Sequence, residues 1–106
     1  MLITEEVALE IARAVKKMLW QIRRHDRSLF DQARRACASI ALNVAEGRGS
    51  EGGNARARYA TAAGSTHELG MALELAAIWG YVDKQEVGKV QMLLDRQRRL
   101  LWGLRR

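Results

Sequence analysis

Apolar residues recur every three or four positions along almost the whole chain, which is the spacing of one face of an α-helix. Four such stretches are separated by short polar segments, and β-branched residues nowhere alternate with polar ones as in a half-buried strand. The pattern therefore predicts an all-α protein. Because short loops place consecutive helices side by side, we expect an antiparallel up-down-up-down four-helix bundle that forms one domain over residues 1–106.

The first helix is predicted from about Glu5 to Arg24, with Thr4 as its N-cap. Its two acidic residues at the start suit the positive end of the helix dipole. One face is apolar and the opposite face is charged, which is typical of a surface helix of a bundle. The predicted buried stripe comprises Val7, Ile11, Ala14, Met18 and Ile22.

The second helix is predicted from about Leu29 to Glu46, with Ser28 as its N-cap and Asp31 as the second half of a capping box. Gly47 suits a left-handed residue that ends the helix, and the glycine-rich segment that follows is predicted as the one flexible loop. The predicted buried stripe comprises Ala33, Ala36, Cys37, Ile40, Asn43, Val44 and Gly47.

The third helix, from about Asn54 to Trp79, is apolar on nearly every side. Between Tyr59 and Val82 the only formally charged residues are Glu68 and Glu74. A helix of this kind is buried nearly all round, yet a four-helix monomer of this size covers about one face of each helix. The surplus apolar surface predicts a homo-oligomer. The predicted oligomer interface comprises Met71, Leu75, Ile78 and Trp79.

The fourth helix begins after Asp83, which is predicted as its N-cap with Glu86 completing the capping box. Arginines crowd its C-terminal end, where they either complement the negative end of the helix dipole or form a patch that contacts phosphates. The predicted buried stripe comprises Val87, Val90, Leu94, Gln97, Leu101 and Leu104.

Polar residues interrupt the apolar end of the second helix, in the stretch SIALNVAEGRGS (residues 39–50). A buried amide left without a partner costs about 1–3 kcal/mol, so Asn43 should be paired. Glu46, at the negative end of its helix, needs an arginine or the free N–H groups of the third helix. We interpret these residues as a structural polar lock between helices, with a ligand site or a catalytic carboxylate pair as the alternative. The predicted lock comprises Ser39, Asn43, Glu46, Ser65 and Glu68.

The net charge of +6 favours polyanionic partners, and arginine outnumbers lysine by 14 to 4. Arginine makes forked contacts with phosphates, although a GC-rich genome also raises arginine content. No base-reading motif is present, so nucleic-acid binding should fall on phosphates and show little sequence specificity. The predicted nucleic-acid-binding residues are Arg23, Arg24, Arg27, Arg34, Arg48, Arg56, Arg96, Arg98 and Arg99.

Chemistry-bearing residues are few. The two histidines, His25 and His67, lie outside any Glu-x-x-His or other metal-ligand spacing, so no metal or cofactor is expected. The single Cys37 lies among apolar residues and lacks an evident histidine partner, which disfavours a nucleophile. We therefore expect no enzyme. The acidic N-terminus, the lone thiol and the lack of an ~18-residue apolar run predict a cytoplasmic protein without a membrane span.

Two segments, QARRACASIALNVAEGRG (residues 32–49) and YATAAGSTHELGMALELAAIWGY (residues 59–81), resemble the four-helix-bundle proteins encoded in intervening sequences of bacterial 23S rRNA genes. Ala41 departs from the family's usual proline, and Tyr59 departs from its usual phenylalanine. The matching positions are Arg35, Ala36, Ser39, Asn43, Glu46, Gly47, Tyr59, Ala63, Gly64, Ser65, Glu68, Leu69 and Gly80.

The resemblance implies a ring-like homo-oligomer, typically a homopentamer. It also implies a more distant similarity to the accessory protein of diversity-generating retroelements, a basic pentamer that binds nucleic acid and a reverse transcriptase. Two functions fit these expectations. The first is a non-enzymatic scaffold that binds RNA or DNA through arginine–phosphate contacts. The alternative is a protein-interaction module that docks a partner enzyme such as a reverse transcriptase, with the basic surface incidental.

Overall fold

The computed structural model of the protein describes all 106 residues and contains four helices and no strand. This confirms the prediction of an all-α chain with four helices. The molecule measures 42 × 23 × 19 Å along its principal axes. The helices are α1 (Ile3–His25), α2 (Arg27–Arg48), α3 (Gly52–Ile78) and α4 (Lys84–Arg105).

Each helix packs against its neighbours in sequence, and α1 also packs against α4. Polar contacts mark which ends meet. The side-chain amide of Gln97, near the end of α4, donates to the backbone carbonyl of Thr4 at 2.9 Å. At the other end of α1, the His25 ring stacks on Tyr81, with centroids 4.9 Å apart. The two helices outside this pairing, α2 and α3, pack against each other along their length.

The predicted stripes supply most of the core, with three differences in their members. On α1, Ala14 is exposed and its neighbour Val15 is buried instead. On α2, Asn43 is only partly buried, and on α4, Leu104 is exposed. A second, smaller cluster lies toward the end of α4, where Tyr59 and Leu101 pack together. The side chains that are largest and most completely buried are Ile11, Ile22, Ile40, Leu69, Leu73, Leu94, Leu101 and Gln97.

Two of the three predicted helix caps are wrong. Leu2 occupies the N-cap position of α1 without a side-chain hydrogen bond, and its backbone N–H donates to the Glu5 carboxylate at 2.8 Å. Thr4 lies inside the first turn of α1, where it is buried and its carbonyl accepts from Gln97. Helix α2 is capped by Asp26, whose carboxylate accepts a hydrogen bond from the backbone N–H of Leu29 at 2.9 Å. Both helices begin two residues earlier than predicted, and the turn between α1 and α2 consists of the single residue Asp26.

The predicted N-cap of α4, Asp83, is confirmed, but Glu86 forms no capping box, and its carboxylate lies 4.0 Å from the Lys17 ammonium group. The Asp83 carboxylate accepts hydrogen bonds from the backbone N–H groups of Gln85, at 2.7 Å, and Glu86, at 3.2 Å. These bonds satisfy two of the donors that the first turn of a helix leaves free. The preceding turn needs Gly80, whose φ of +80° lies in the left-handed region that other residues rarely adopt.

Gly47 is not the left-handed end of α2 that the sequence suggested. The helix continues to Arg48, and Gly47 is buried inside it. The glycine is required for a different reason, because a β-carbon at this position would lie 2.5 Å from Cε1 of the Tyr59 ring. The loop between α2 and α3 is consequently only three residues long, 49–51.

We expect Gly47→Ala to lower the free energy of unfolding by about 1–3 kcal/mol, because the added methyl group overpacks a buried contact. Gly88→Ala is the matched control, since nothing lies within 4 Å of a β-carbon there. It should raise stability by about 0.5–1 kcal/mol, the ordinary preference of a helix for alanine. Urea unfolding of the two variants checks both. Equal stabilisation by both substitutions would mean that the Tyr59 ring moves aside freely.

Candidate functional site

A small polar cluster joins α2 to α3 near their middles. The hydroxyl oxygens of Ser39 and Ser65 lie 2.7 Å apart, within hydrogen-bond distance. The side-chain amide of Asn43 donates to the backbone carbonyl of Ser39 at 2.9 Å and to its hydroxyl at 3.0 Å. Thus Asn43 bonds only within its own helix, and the serine pair makes the contact between helices. Asn43 orients and satisfies Ser39 and does not reach across to α3.

The two carboxylates predicted for this cluster lie outside it. Glu46 pairs with Arg58 on α3, at 3.1 Å, and both side chains are about half exposed. Glu68 is exposed and borders a polar groove between α2 and α3, together with Arg35 and the two serines. Neither carboxylate makes a hydrogen bond with the cluster. Arg58 is the partner that Glu46 needs at the negative end of α2, and the sequence did not single it out.

Three of the nine predicted nucleic-acid-binding arginines are already engaged. Arg48 pairs with Glu5 at 3.2 Å, and Arg98 pairs with Asp95 one turn earlier in α4. The guanidinium group of Arg23 lies 5.5 Å from the centre of the Trp20 ring, close enough for a cation–π contact. The other six are exposed and have no carboxylate within 4.0 Å. These free arginines are Arg24, Arg27, Arg34, Arg56, Arg96 and Arg99.

Four of the six free arginines fall into two groups along the bundle, while Arg34 lies within α2 and Arg56 near the start of α3. Arg24 and Arg27 flank the turn between α1 and α2. Arg96 and Arg99 lie in the second half of α4, on either side of Gln97, which contacts the start of α1. The two groups lie at opposite ends of α1, so one chain has no single concentrated basic patch. A continuous basic surface would need arginines from more than one chain.

None of the three tryptophans belongs to the core. The indoles of Trp20, Trp79 and Trp102 are each more than half exposed. Trp20 stacks on Phe30 with ring centroids 6.2 Å apart, and Trp79 meets Tyr81 edge to face at 6.0 Å. Rings this exposed do not pack in the core of the single chain.

The outer face of α3 is apolar and open to solvent. Met71 is 64% exposed and Ile78 is 76% exposed, values that a core residue never reaches. Leu75 is half-buried because it also packs against the core of its own chain. Trp79, just after the helix, is 52% exposed. Three of the four residues predicted as an oligomer interface thus lie on the surface of the single chain.

The single thiol and the potential metal ligands of the chain are dispersed. Burial raises the pKa of the Cys37 thiol, so this group stays protonated and weakly nucleophilic near neutral pH. No three residues among histidine, cysteine, aspartate and glutamate lie close enough together to hold a metal ion. None of the four helices combines the length and the apolar composition that a membrane crossing requires.

The sequence interpretation missed an apolar groove between α1 and α2. Small side chains form its floor and positively charged ones stand at its edges. The signal was present in the sequence, since alanines recur on facing sides of the two helices, but alanine also fits a closely packed core. The residues lining the groove are Ala12, Arg13, Lys16, Leu19, Trp20, Arg34, Cys37, Ala38 and Ala41.

We expect Ser39→Ala to lower the free energy of unfolding by about 1–2 kcal/mol, because it strips a partner from both Ser65 and Asn43. Ser65→Ala should cost less, since Ser39 keeps its bond with Asn43. Asn43→Leu, which breaks bonds only within α2, should fall at the low end of about 1–3 kcal/mol. A double-mutant cycle of the two serines by urea unfolding measures their coupling. A coupling energy near zero would exclude a stabilising role for the serine pair.

Comparison with known proteins gives the same fold and a family. The chain aligns over 97% of its length with 98% of a Bacteroides thetaiotaomicron protein of unknown function from the S23 ribosomal protein family, with a TM-score of 0.87 and 16% identity. At this identity the likeness establishes the fold alone. No curated protein matches the chain significantly in sequence. The family model of the 23S rRNA-intervening sequence protein matches residues 2–103, which confirms the resemblance seen in the motifs: the chain belongs to this family.

Proposed function

We propose that the protein is a non-enzymatic, oligomeric scaffold that binds RNA or DNA through arginine–phosphate contacts. The observation that carries this proposal is the set of six free arginines. A protein with a net charge of +6 that pairs few of its guanidinium groups keeps a positive field and unused forked donors at its surface. Phosphate oxygens fit these donors in charge and in geometry.

Assembly would strengthen such binding. We infer that the helices alternate up and down, because the start of α1 lies beside the ends of α2 and α4. We further infer that the chains associate, with a ring of five as the arrangement suggested by the family resemblance. Each added chain brings two more groups of free arginines, so one nucleic-acid strand could be held at several points at once.

A second function is favoured by a different observation, the open apolar face of α3. A face that carries Met71 and Ile78 at the surface could dock a partner protein such as a reverse transcriptase, with the basic surface incidental. Salt separates the two functions. Binding to phosphates weakens steeply as salt rises, because counterions are released, whereas apolar docking is nearly insensitive to salt.

We expect the protein to bind short RNA and DNA at low salt and to lose about tenfold or more of its affinity by physiological salt. Arg96→Gln with Arg99→Gln should weaken binding and flatten the salt dependence. The matched control is Arg58→Gln with Arg98→Gln, which removes the same charge from two arginines that already have carboxylate partners. Fluorescence anisotropy across a salt series measures all three proteins.

If the two double variants lose affinity equally, only net charge matters and the free arginines are not a site. Failure to bind either nucleic acid at low salt, with the oligomer intact, would leave the protein-interaction scaffold as the function. The same titration with a shuffled sequence tests specificity, which we expect to be low because the chain carries no base-reading motif.

We expect the protein to be larger than a monomer at micromolar concentration. The physical reason is the apolar area that α3 leaves uncovered, which a second chain would remove from water. Light scattering coupled to size exclusion measures the mass, and a stable species at 11.9 kDa would contradict the prediction. Trp79→Glu should weaken assembly. Leu75→Glu is a poorer test, because Leu75 also contributes to the core of its own chain.

A further inference from the structure

The outer face of α3 forms a narrow apolar ridge with negative edges. Met71 and Ile78 stand at its crest, two turns apart, which is about 10 Å along the helix. Glu68 and Glu74 flank Met71 at three residues on either side, and both are exposed. No lysine or arginine lies between Tyr59 and Val82, so these carboxylates lack any positively charged neighbour along their own helix.

The groove between α1 and α2 has the opposite character. Its floor is made of small side chains, among them Ala38 and Ala41, and its open volume is about 440 Å³. Its edges carry Arg13, Lys16 and Arg34, and none of these has a carboxylate within 4.0 Å. From Ala12 to Trp20 the α1 wall of the groove runs about 12 Å.

We propose that the occupant of this groove is the α3 ridge of a second copy of the chain. Both surfaces are apolar along their centre and open to solvent in the single chain. Their edges are opposite in charge. The ridge carboxylates have no cation within 4.0 Å, although Glu74 accepts a hydrogen bond from the Gln91 side chain at 3.1 Å, and the groove cations have no carboxylate within 4.0 Å. Their lengths also match, since both run about 10–12 Å. Alanines on the groove floor would let the partner helix approach closely, and the charges at the rim would set its direction and register.

The placement of the two surfaces fixes the kind of assembly. Helix α3 packs between α2 and α4, and it lies diagonally across the bundle from α1. Ridge and groove are therefore different patches of one chain that face different directions, so the contact is head-to-tail. A head-to-tail contact repeats from chain to chain and gives a closed ring, or an open filament if the rotation does not close. A symmetric contact of ridge with ridge would instead stop at a dimer and would bring four carboxylates together.

One consequence concerns Arg34, which lies at the groove edge and is also one of the free arginines. In this arrangement it pairs with a carboxylate of the neighbouring chain and is not available to phosphates. The proposal rests on the inference that the chains associate. It does not depend on nucleic-acid binding, because Arg24, Arg27, Arg96 and Arg99 lie outside both surfaces.

The test uses two variants that damage one surface each. The ridge variant is Met71→Asp with Ile78→Asp, and the groove variant is Arg13→Glu with Arg34→Glu. All four residues are exposed, so the single chain should still fold, and circular dichroism with thermal melting checks this. The control is Arg96→Glu with Arg99→Glu, which reverses two charges outside both surfaces and should keep the mass of the wild-type oligomer.

Each variant alone should be a monomer by light scattering. An equimolar mixture joins one intact ridge to one intact groove and should give a 1:1 dimer of about 24 kDa, twice the 11.9 kDa of one chain, that grows no further. Reversing the ridge charges as well, with Glu68→Arg and Glu74→Arg added to the groove variant, should restore the wild-type mass.

Three results would overturn the proposal, and they differ in what else they affect. If the wild-type protein is monomeric, both the assembly and the interface are disproved, and the groove must bind another partner. If the groove variant keeps the wild-type mass, the protein is an oligomer but the head-to-tail contact is disproved. Two monomeric variants that do not combine on mixing show that the two surfaces are not partners.

Discussion

The close approach of α2 to α3 is the constraint on which much of the structure depends. The Tyr59 ring occupies the space in which any side chain at Gly47 would lie. With the helices this near, the hydroxyls of Ser39 and Ser65 come within 2.7 Å, and Val44 and Ala62 can bury each other in the smaller core cluster. The missing side chain at Gly47 thus allows the close helix spacing, and this spacing brings the two serine hydroxyls into contact.

The same approach turns the outer side of α3 toward solvent. A helix held on two sides by α2 and α4 has one side left over, and on α3 that side is apolar at Met71 and Ile78. Its burial would require an element beyond the four helices. The apolar outer side of α3 contrasts with α1, α2 and α4, each of which carries more lysine and arginine than aspartate and glutamate.

How far sequence reasoning reached depends on the range of the interaction. Four helices and most buried positions follow from periodicity, because a run of apolar residues at helical spacing has only one way to bury them all. The cap at Asp83 was predicted because its partners, two and three residues away, are local. The predicted caps Thr4 and Ser28 were wrong because both helices begin earlier. Asp26 caps α2, and Thr4 lies inside the first turn of α1, where it is buried.

The polar cluster and the charged surface show which contacts the sequence pattern could not predict. The sequence determined that Ser39, Asn43 and Ser65 lie on helix faces that can meet, and that arginine is abundant on a small chain. Only the tertiary structure decided which polar groups bond, that Glu46 turns to Arg58, and that three of the nine predicted arginines are already occupied. The reason is physical: helical spacing places a side chain on a face, whereas a hydrogen bond or an ion pair forms only between atoms within a few ångströms, and that separation is set by how the helices pack.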